Sequence, residues 1–194
     1  LGLCSGSLQV RRNGDRMQLA IGNKVVYRGR GPCLIGAIVQ KVIGGSSTSF
    51  YRLALLDDSS GELFVPVDNR DDLQIRELLQ RSEIPKLLGR LRTRADAYEG
   101  GASAKNRRQR SLEISKLFGS GSAFDLAQVI ESLTQLNDTK ALAPGERQML
   151  NRARTLLTCE ISEVMNESKS AAEARINGAL EARKDRNGRS GPRA

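Results

Sequence analysis

Residues 21–39 read IGNKVVYRGRGPCLIGAIV, and they decide how the first third of the chain folds. Two apolar runs flank a short turn in which two arginines, Arg28 and Arg30, are each followed by a glycine. Such a turn either cradles a phosphate or forms the corner between two antiparallel strands. The first alternative leads to a nucleotide-dependent enzyme and the second to a binding module.

The glycine spacing argues against the phosphate-binding alternative. A dinucleotide-binding loop needs G-x-G-x-x-G at the start of a helix, and counting from Gly29 the third glycine position is occupied by Leu34. The residues that follow are rich in Ile, Val and Leu, which favour a strand over a helix whose N-terminus could face a phosphate. Glycine and proline here are typical of a tight turn between strands. The stretch therefore predicts the corner of a small β-barrel.

Further runs of strand-forming residues surround this corner. They read KVVY, CLIGAIVQKVI, FYRLALL and ELFVPV, with the turn clusters GGSSTS and DDSSG between the later ones. Short strands at close spacing are typical of a small antiparallel barrel. We therefore predict a β-barrel domain over residues 19–69. Residues 1–18 mix Gly, Ser and Arg without periodicity, and we expect them to be loose.

From about residue 70 the apolar spacing becomes helical. Leu73, Ile75 and Leu78 begin this pattern, and we interpret them as part of a first helix. Residues 70–182 are therefore predicted to be an all-α domain.

Further helices are predicted over RRQRSLEISKLFG, AFDLAQVIESLTQL and the long stretch that begins at APGERQML. In the first of them, Leu112, Leu117 and Phe118 form the expected apolar face. Residues 183–194 are basic and contain Gly and Pro, which predicts a disordered tail. The fold class is thus α+β, with a small antiparallel β-barrel followed by helices.

The charge of the chain favours a polyanionic partner. The formal net charge is +9 and the sequence pI is about 9.9, which suits nucleic acid, although a basic protein without such a partner is the alternative. Aromatic residues are only 4% of the chain and Trp is absent. Because so few aromatic side chains are present, we do not expect binding of single strands by aromatic stacking.

Enzymatic classes find little support in the composition. The chain has no His, which excludes His-based acid–base catalysis and the usual triads. Its cysteines, Cys4, Cys33 and Cys159, lack the spacing of a zinc site, and their scatter suits a reducing compartment. We expect no catalytic residues, no metal and no cofactor. No apolar run is long enough for a membrane span, so we expect a cytoplasmic protein with no membrane contact.

Two motifs in order resemble the CarD/CdnL family of bacterial transcription regulators. The family opening, roughly G-D-x-V-V-Y-P-x-H-G, is matched at Gly22, Val25, Val26, Tyr27 and Gly31. The late-helix motif, roughly L-S-x-x-E-[RK]-x-M-L-x-x-A-[RK], is matched at Leu142, Glu146, Arg147, Met149, Leu150, Ala153 and Arg154. Ala143 departs from it, because the family has a helix-capping Ser there. The resemblance covers about residues 20–180.

The resemblance implies a function for each domain. The N-terminal domain would be Tudor-like and would bind the lobe of the RNA polymerase β subunit. The helical domain would bind double-stranded promoter DNA at the upstream edge of the transcription bubble and stabilise the open complex. It implies a non-enzymatic, monomeric, nucleoid-associated protein of the bacterial cytoplasm. The rival hypothesis is a free-standing basic DNA-binding module without a polymerase contact.

The resemblance also selects candidate DNA-binding residues. Asn106 stands where many family members have a Trp that wedges against the DNA, so the wedge cannot be carried over. The basic residues around it either contact phosphates or form a solvated helix face. Further along, Arg147 and Arg154 either contact DNA or pair with Glu146 or Glu160. The predicted DNA-binding set is Lys105, Asn106, Arg107, Arg108, Arg110, Arg147 and Arg154.

Candidate residues for the polymerase contact lie in the barrel. The positions that the family uses on the barrel surface fall at Lys41 and Phe64. Phe64 replaces a basic residue, and it either anchors a protein interface or fills the core. Arg28 and Arg30 complete the predicted set, and they face either the polymerase or water.

Overall fold

The computed structural model describes residues 8–12, 15–57, 60–67, 74–92 and 104–188. The chain divides into two compact units, residues 1–78 and residues 79–194. Each unit has a hydrophobic core of its own.

The first unit consists of antiparallel strands. They are β1 (Leu8–Arg12), β2 (Asp15–Leu19), β3 (Lys24–Tyr27), β4 (Gly31–Ile43), β5 (Ser46–Leu55), β6 (Glu62–Pro66) and β7 (Ile75–Glu77). β1 and β2 form a hairpin, and the other strands form a five-stranded sheet in the order β6-β5-β4-β3-β7.

Local sequence explains the long hairpin of β4 and β5. β4 is dense in β-branched residues, and its register with β5 shifts between Ile35 and Ala37, where Gly36 forms an irregularity. The strands are joined at Gly44 and Gly45, whose φ values are 59° and 84°. Positive φ at both central residues is the requirement of a tight two-residue hairpin turn, which glycine meets without strain.

One face of the sheet forms the core of this unit. Leu19, Ile35, Tyr51 and Leu53 are almost completely buried there. Cys33 lies among them, and burial raises the pKa of its thiol to about 11, so it behaves as a small apolar residue. Cys33 and Cys159 are both buried, and neither forms a disulfide.

Three features of this unit correct the sequence predictions. In the part of the chain that the structure describes, the sheet is not closed into a barrel, because β6 and β7 are its two edges. Residues 75–77 form a strand rather than a helix, and pair with β3. The segment expected to be loose, residues 1–18, contains the β1–β2 hairpin. The first unit therefore ends near residue 78 and not at residue 69.

The second unit is helical. A 3₁₀ turn (Arg81–Glu83) leads into α1 (Ile84–Arg92), followed by α2 (Ala104–Ser120), α3 (Ala123–Thr139), α4 (Pro144–Met165) and α5 (Lys169–Gly188). α1 packs against α3 and α5, α2 packs against α3, and α4 packs against α3 and α5. The α+β fold class predicted from the sequence is confirmed.

The core of the helical unit lies between these helices. Its fully buried members include Leu87, Ile130, Leu157 and Ile176. On α2 the inward residue is Ile114, whereas Leu112 is 60% exposed. The prediction that Leu112 belongs to the apolar face of this helix is wrong.

The last helix extends beyond its predicted end. α5 continues to Gly188, and Arg183 is only 3% exposed. Its guanidinium donates to the Glu131 carbonyl oxygen at 3.2 Å and to Asp138 Oδ2 at 3.0 Å, both on α3. Residues 183–188 are therefore helical rather than part of a disordered tail, and residues 189–194 lie outside the described part.

Candidate polymerase and nucleic-acid interfaces

The RGRG turn of the first unit is the corner between β3 and β4. Gly29 and Gly31 have φ values of 71° and 96°, and the Arg30 amide donates to the Tyr27 carbonyl at 3.0 Å. Arg28 and Arg30 are exposed on this turn. The corner is thus built by glycines that take conformations unfavourable for other residues.

The outer half of β4 has one unpaired edge. β3 pairs only with residues 31–34 of β4, whereas β5 pairs with β4 out to Ile43. On the β3 side, no backbone hydrogen bond reaches residues 37–43 from any other described residue. The β4–β5 hairpin over residues 37–52, here called the arm, therefore has free backbone groups along β4. β6 pairs with the arm at residues 50–52, and the end of the arm is two-stranded.

Apolar side chains cover the tip of this arm. Val42 is 74% exposed, Ile43 58% and Ile38 36%. Exposed apolar side chains beside unpaired strand backbone are a common feature of interaction sites. These residues were not among the predicted site residues, although the apolar pair directly before the Gly44–Gly45 turn was a visible signal in the sequence.

Lys41 and Phe64 meet on one face of the arm. The Lys41 Nζ lies 3.2 Å from the centre of the Phe64 ring, and this ring, on the edge strand β6, is 40% exposed. Such a contact holds both side chains in place through the attraction of a cation to an aromatic face. Of the two alternatives for Phe64, the surface position is the observed one.

The structure does not bring all four predicted polymerase-binding residues together. Arg28 and Arg30 lie at the start of β4, whereas Lys41 lies near its end. At about 3.3 Å per residue, the intervening strand separates them by roughly 30 Å. Lys41 lies on the arm with the exposed apolar residues and Phe64 lies beside it on β6, whereas the two arginines lie at neither place.

The predicted DNA-binding residues of α2 have unlike surroundings. The backbone of Lys105, Asn106 and Arg107 belongs to α2, but their side chains lie outside the described residues. Arg108 is exposed and makes no side-chain hydrogen bond or ion pair with another described residue. Arg110 instead donates through Nη2 to Glu146 Oε1 at 3.2 Å, and both side chains are about four-fifths buried.

Glu146 ties the start of α4 to α2. Its Oε2 accepts the Ala143 amide at 2.9 Å, which satisfies one of the free donors at the N-terminus of α4. Its Oε1 accepts from Arg110. Glu146 therefore connects α2 to the start of α4.

The two arginines predicted on α4 also differ. Arg147 is exposed and has no side-chain partner among the described residues. Arg154 Nη2 donates to the Asn177 side-chain oxygen of α5. Glu160, the other proposed ion-pair partner, is 1% exposed and accepts the Leu79 amide at 3.1 Å. Neither arginine makes the predicted pair with Glu146 or Glu160.

Other kinds of site are not apparent in the described part of the chain. It contains no cluster of three or more acidic, His or Cys side chains that could hold a metal ion. None of its helices is long and apolar enough to cross a bilayer.

The described residues form a sheet with open edges and a helical unit in which Arg108 and Arg147 are exposed. Comparison with known families agrees with this description. Residues 19–79 match the CarD-like/TRCF RID domain, and residues 90–177 match the CarD C-terminal domain. Together the matches cover most of the chain, and it belongs to the CarD/CdnL family. This is a family of transcription regulators that interact with RNA polymerase.

Proposed function

We propose that this chain binds the β-subunit lobe of RNA polymerase with its sheet and upstream promoter DNA with its helices, and that it thereby stabilises the open promoter complex. The observation that carries this proposal is the presence of both family domains, in order, on one chain. The protein would act in the bacterial cytoplasm, as a monomer and without catalysis.

The unpaired edge of β4 is the surface proposed for the polymerase. A strand of a partner can add to such an edge through backbone hydrogen bonds, while side chains on the edge select the partner. Native proteins usually protect long exposed edges with charge, proline or a covering segment. Here the edge of residues 37–43 carries Ile38 and Val42, which suits a strand that binds there.

Lys41 and Phe64 would support this contact from the neighbouring face. Aromatic side chains that are held in place contribute strongly at interfaces because little conformational entropy is lost on binding. The stacked Lys41 ammonium keeps a positive charge beside the ring. Arg28 and Arg30 lie too far along β4 to join the same contact, so we assign them no part in it.

The proposed DNA contact centres on the junction between α2 and α4. Arg108 on α2 and Arg147 on α4 are both exposed and are available for phosphate oxygens, which position a protein without reading sequence. Arg110 and Arg154 are engaged with Glu146 and Asn177. We propose that these two hold the helices in register and that Lys105, Asn106 and Arg107 add to the DNA contact.

Binding to the isolated polymerase β lobe tests the proposal. Val42→Asp in the full chain should lower the affinity at least about tenfold, since a carboxylate opposes both strand pairing and apolar contact. Ile21→Asp is the matched control, because Ile21 is also exposed, at 61%, but lies outside the arm.

Three results would count against parts of the proposal. Equal losses in both variants would remove the arm from the contact. Wild-type affinity in Val42→Asp would place the polymerase elsewhere on the chain. If the wild-type chain bound promoter DNA but not the lobe, the free-standing DNA-binding module would be the better description.

A further inference from the structure

A cleft beside α1 lies outside the contacts proposed above. It has a volume of about 370 Å³ and lies where α1 approaches the end of α4 and the beginning of α5. Its lining consists of four apolar residues, Ile84 among them, and three arginines. The principal lining residues are Pro85, Leu88, Met165, Arg81, Arg92 and Arg175.

The lining follows one stripe along the 3₁₀ turn and α1. Arg81, Pro85, Leu88 and Arg92 recur at intervals of four, three and four residues, which places them on one side of a helix. At about 1.5 Å per residue the two arginines lie roughly 16 Å apart along the axis. An apolar surface is therefore framed by a positive charge at each end.

These arginines keep donors available. Arg81 and Arg92 are exposed and make no side-chain hydrogen bond or ion pair with other described residues. Arg175 donates through Nε to both carboxylate oxygens of Glu167, at 2.9 and 3.0 Å. Its two terminal nitrogens bond to no other described residue. No acidic residue lines the cleft.

We propose that this cleft is the docking site of an acidic protein segment that inserts one or two bulky apolar side chains. The charge fits carboxylates on either side of an apolar anchor. The volume is at the small end of ligand pockets, which suits a few side chains. Nucleic acid would satisfy the arginines but leave Leu88 and Met165 uncovered. This partner would bind in addition to the polymerase lobe and promoter DNA. The inference does not depend on either of those two contacts.

A titration of the isotope-labelled full chain, followed by NMR, tests the inference. The probe is a short synthetic peptide with a Phe-Leu pair between two clusters of Asp and Glu. Resonances of the cleft residues should shift selectively. The double variant Arg81→Glu with Arg92→Glu should weaken binding at least about tenfold. Lys86→Glu is the matched control, since Lys86 is exposed on α1 but does not line the cleft, and it should change affinity less than about twofold.

Further measurements distinguish docking of apolar side chains from simple charge attraction. A peptide whose Phe-Leu pair is replaced by Ser-Ser should bind at least about tenfold more weakly if the apolar floor is used. Equal binding of the two peptides would overturn the proposal, as would equal losses in the cleft and control variants. Displacement of the peptide by duplex DNA, with the same residues shifted, would assign the cleft to nucleic acid instead. No shift in the cleft at millimolar peptide would also overturn it.

Discussion

At the scale of single residues, what a charged side chain can bind depends on the partner it already has. Arg108 and Arg110 stand two positions apart in the same basic stretch of α2. Arg108 is exposed, whereas Arg110 is committed to Glu146 on α4. The sequence could identify the cluster but could not separate these roles, because the partner of Arg110 is 36 residues away along the chain.

The two arginines should therefore respond differently to substitution. Arg108→Gln should weaken binding to promoter DNA of any sequence and reduce the slope of log K against log salt by about 0.9, the contribution of one phosphate contact. The free energy of unfolding should stay unchanged. Arg110→Gln should instead lower the free energy of unfolding by roughly 1 kcal/mol, since the largely buried Glu146 loses its ion pair.

Salt-dependent DNA titrations and urea unfolding of both variants measure this difference. A full loss of one phosphate contact in Arg110→Gln, with stability unchanged, would show that the ion pair opens on binding DNA. An unchanged salt slope in Arg108→Gln would identify Arg108 as a solvated residue.

Ala143 offers a stability test at one backbone position. It is the residue before the first turn of α4, with extended backbone, and its side chain cannot accept a hydrogen bond from that turn. Ala143→Ser should stabilise the helical unit by about 1 kcal/mol because a hydroxyl can cap a free amide. Ala141→Ser, at an exposed position in the same loop, is the control. Urea unfolding measures both, and equal midpoints for the three proteins would contradict the capping argument.

At the scale of elements, the sequence predicted the long and regular ones. β4 and α4 carry enough residues to show their apolar patterns. β7 was mistaken for a helix because a strand of three residues is too short to alternate, and Ile75 and Leu78 happen to have helical spacing. The open edge of β4 could not be predicted either, since it depends on where β3 stops pairing. Leu112 was misplaced because Ile114 occupies the buried position of α2.

In α5, a contact with another helix outweighs what the local amino-acid composition predicts. The stretch from Arg183 is basic and polar, which predicted a tail, yet Arg183 is buried against α3. Arg183→Met should lower the free energy of unfolding by about 2 kcal/mol, because it removes charged hydrogen bonds to Glu131 and Asp138. Glu181→Gln, on the exposed side of the same helix, should have little effect. Thermal unfolding measures the pair, and equal stabilities would mean that Arg183 contributes nothing net.

At the scale of the whole molecule, the chain is two units with separate cores, and the boundary affects how fragments behave. β7 completes the first unit by pairing with β3, and Ile75 contributes to its core. A fragment ending at residue 78 should unfold cooperatively. One ending at residue 69 should be at least about 2 kcal/mol less stable, since it loses a buried isoleucine and a strand. Denaturant unfolding compares them, and equal stability would show that β7 is dispensable.

The proposed function requires both units on one chain, and this leads to a test that neither contact provides alone. If the protein bridges polymerase and DNA, each contact holds the other partner at high effective concentration. Breaking either contact should then remove most of the stabilisation of the open complex. The polymerase-contact variant is Val42→Asp, and the DNA-contact variant combines Arg108→Gln with Arg147→Gln. All three substitutions together should shorten the lifetime of the open complex no more than the more damaging of these two variants does.

Decay of preformed open complexes after addition of a DNA competitor measures these lifetimes, with Ile21→Asp as the control that should behave like the wild type. Strong non-additivity between distant sites is the signature of a shared bridge, because substitutions at independent sites usually add. If the fold-reductions in lifetime caused by the sheet substitution and by the helix substitutions instead multiply, each unit acts on the complex by itself. The bridging mechanism would then be wrong even if both contacts exist.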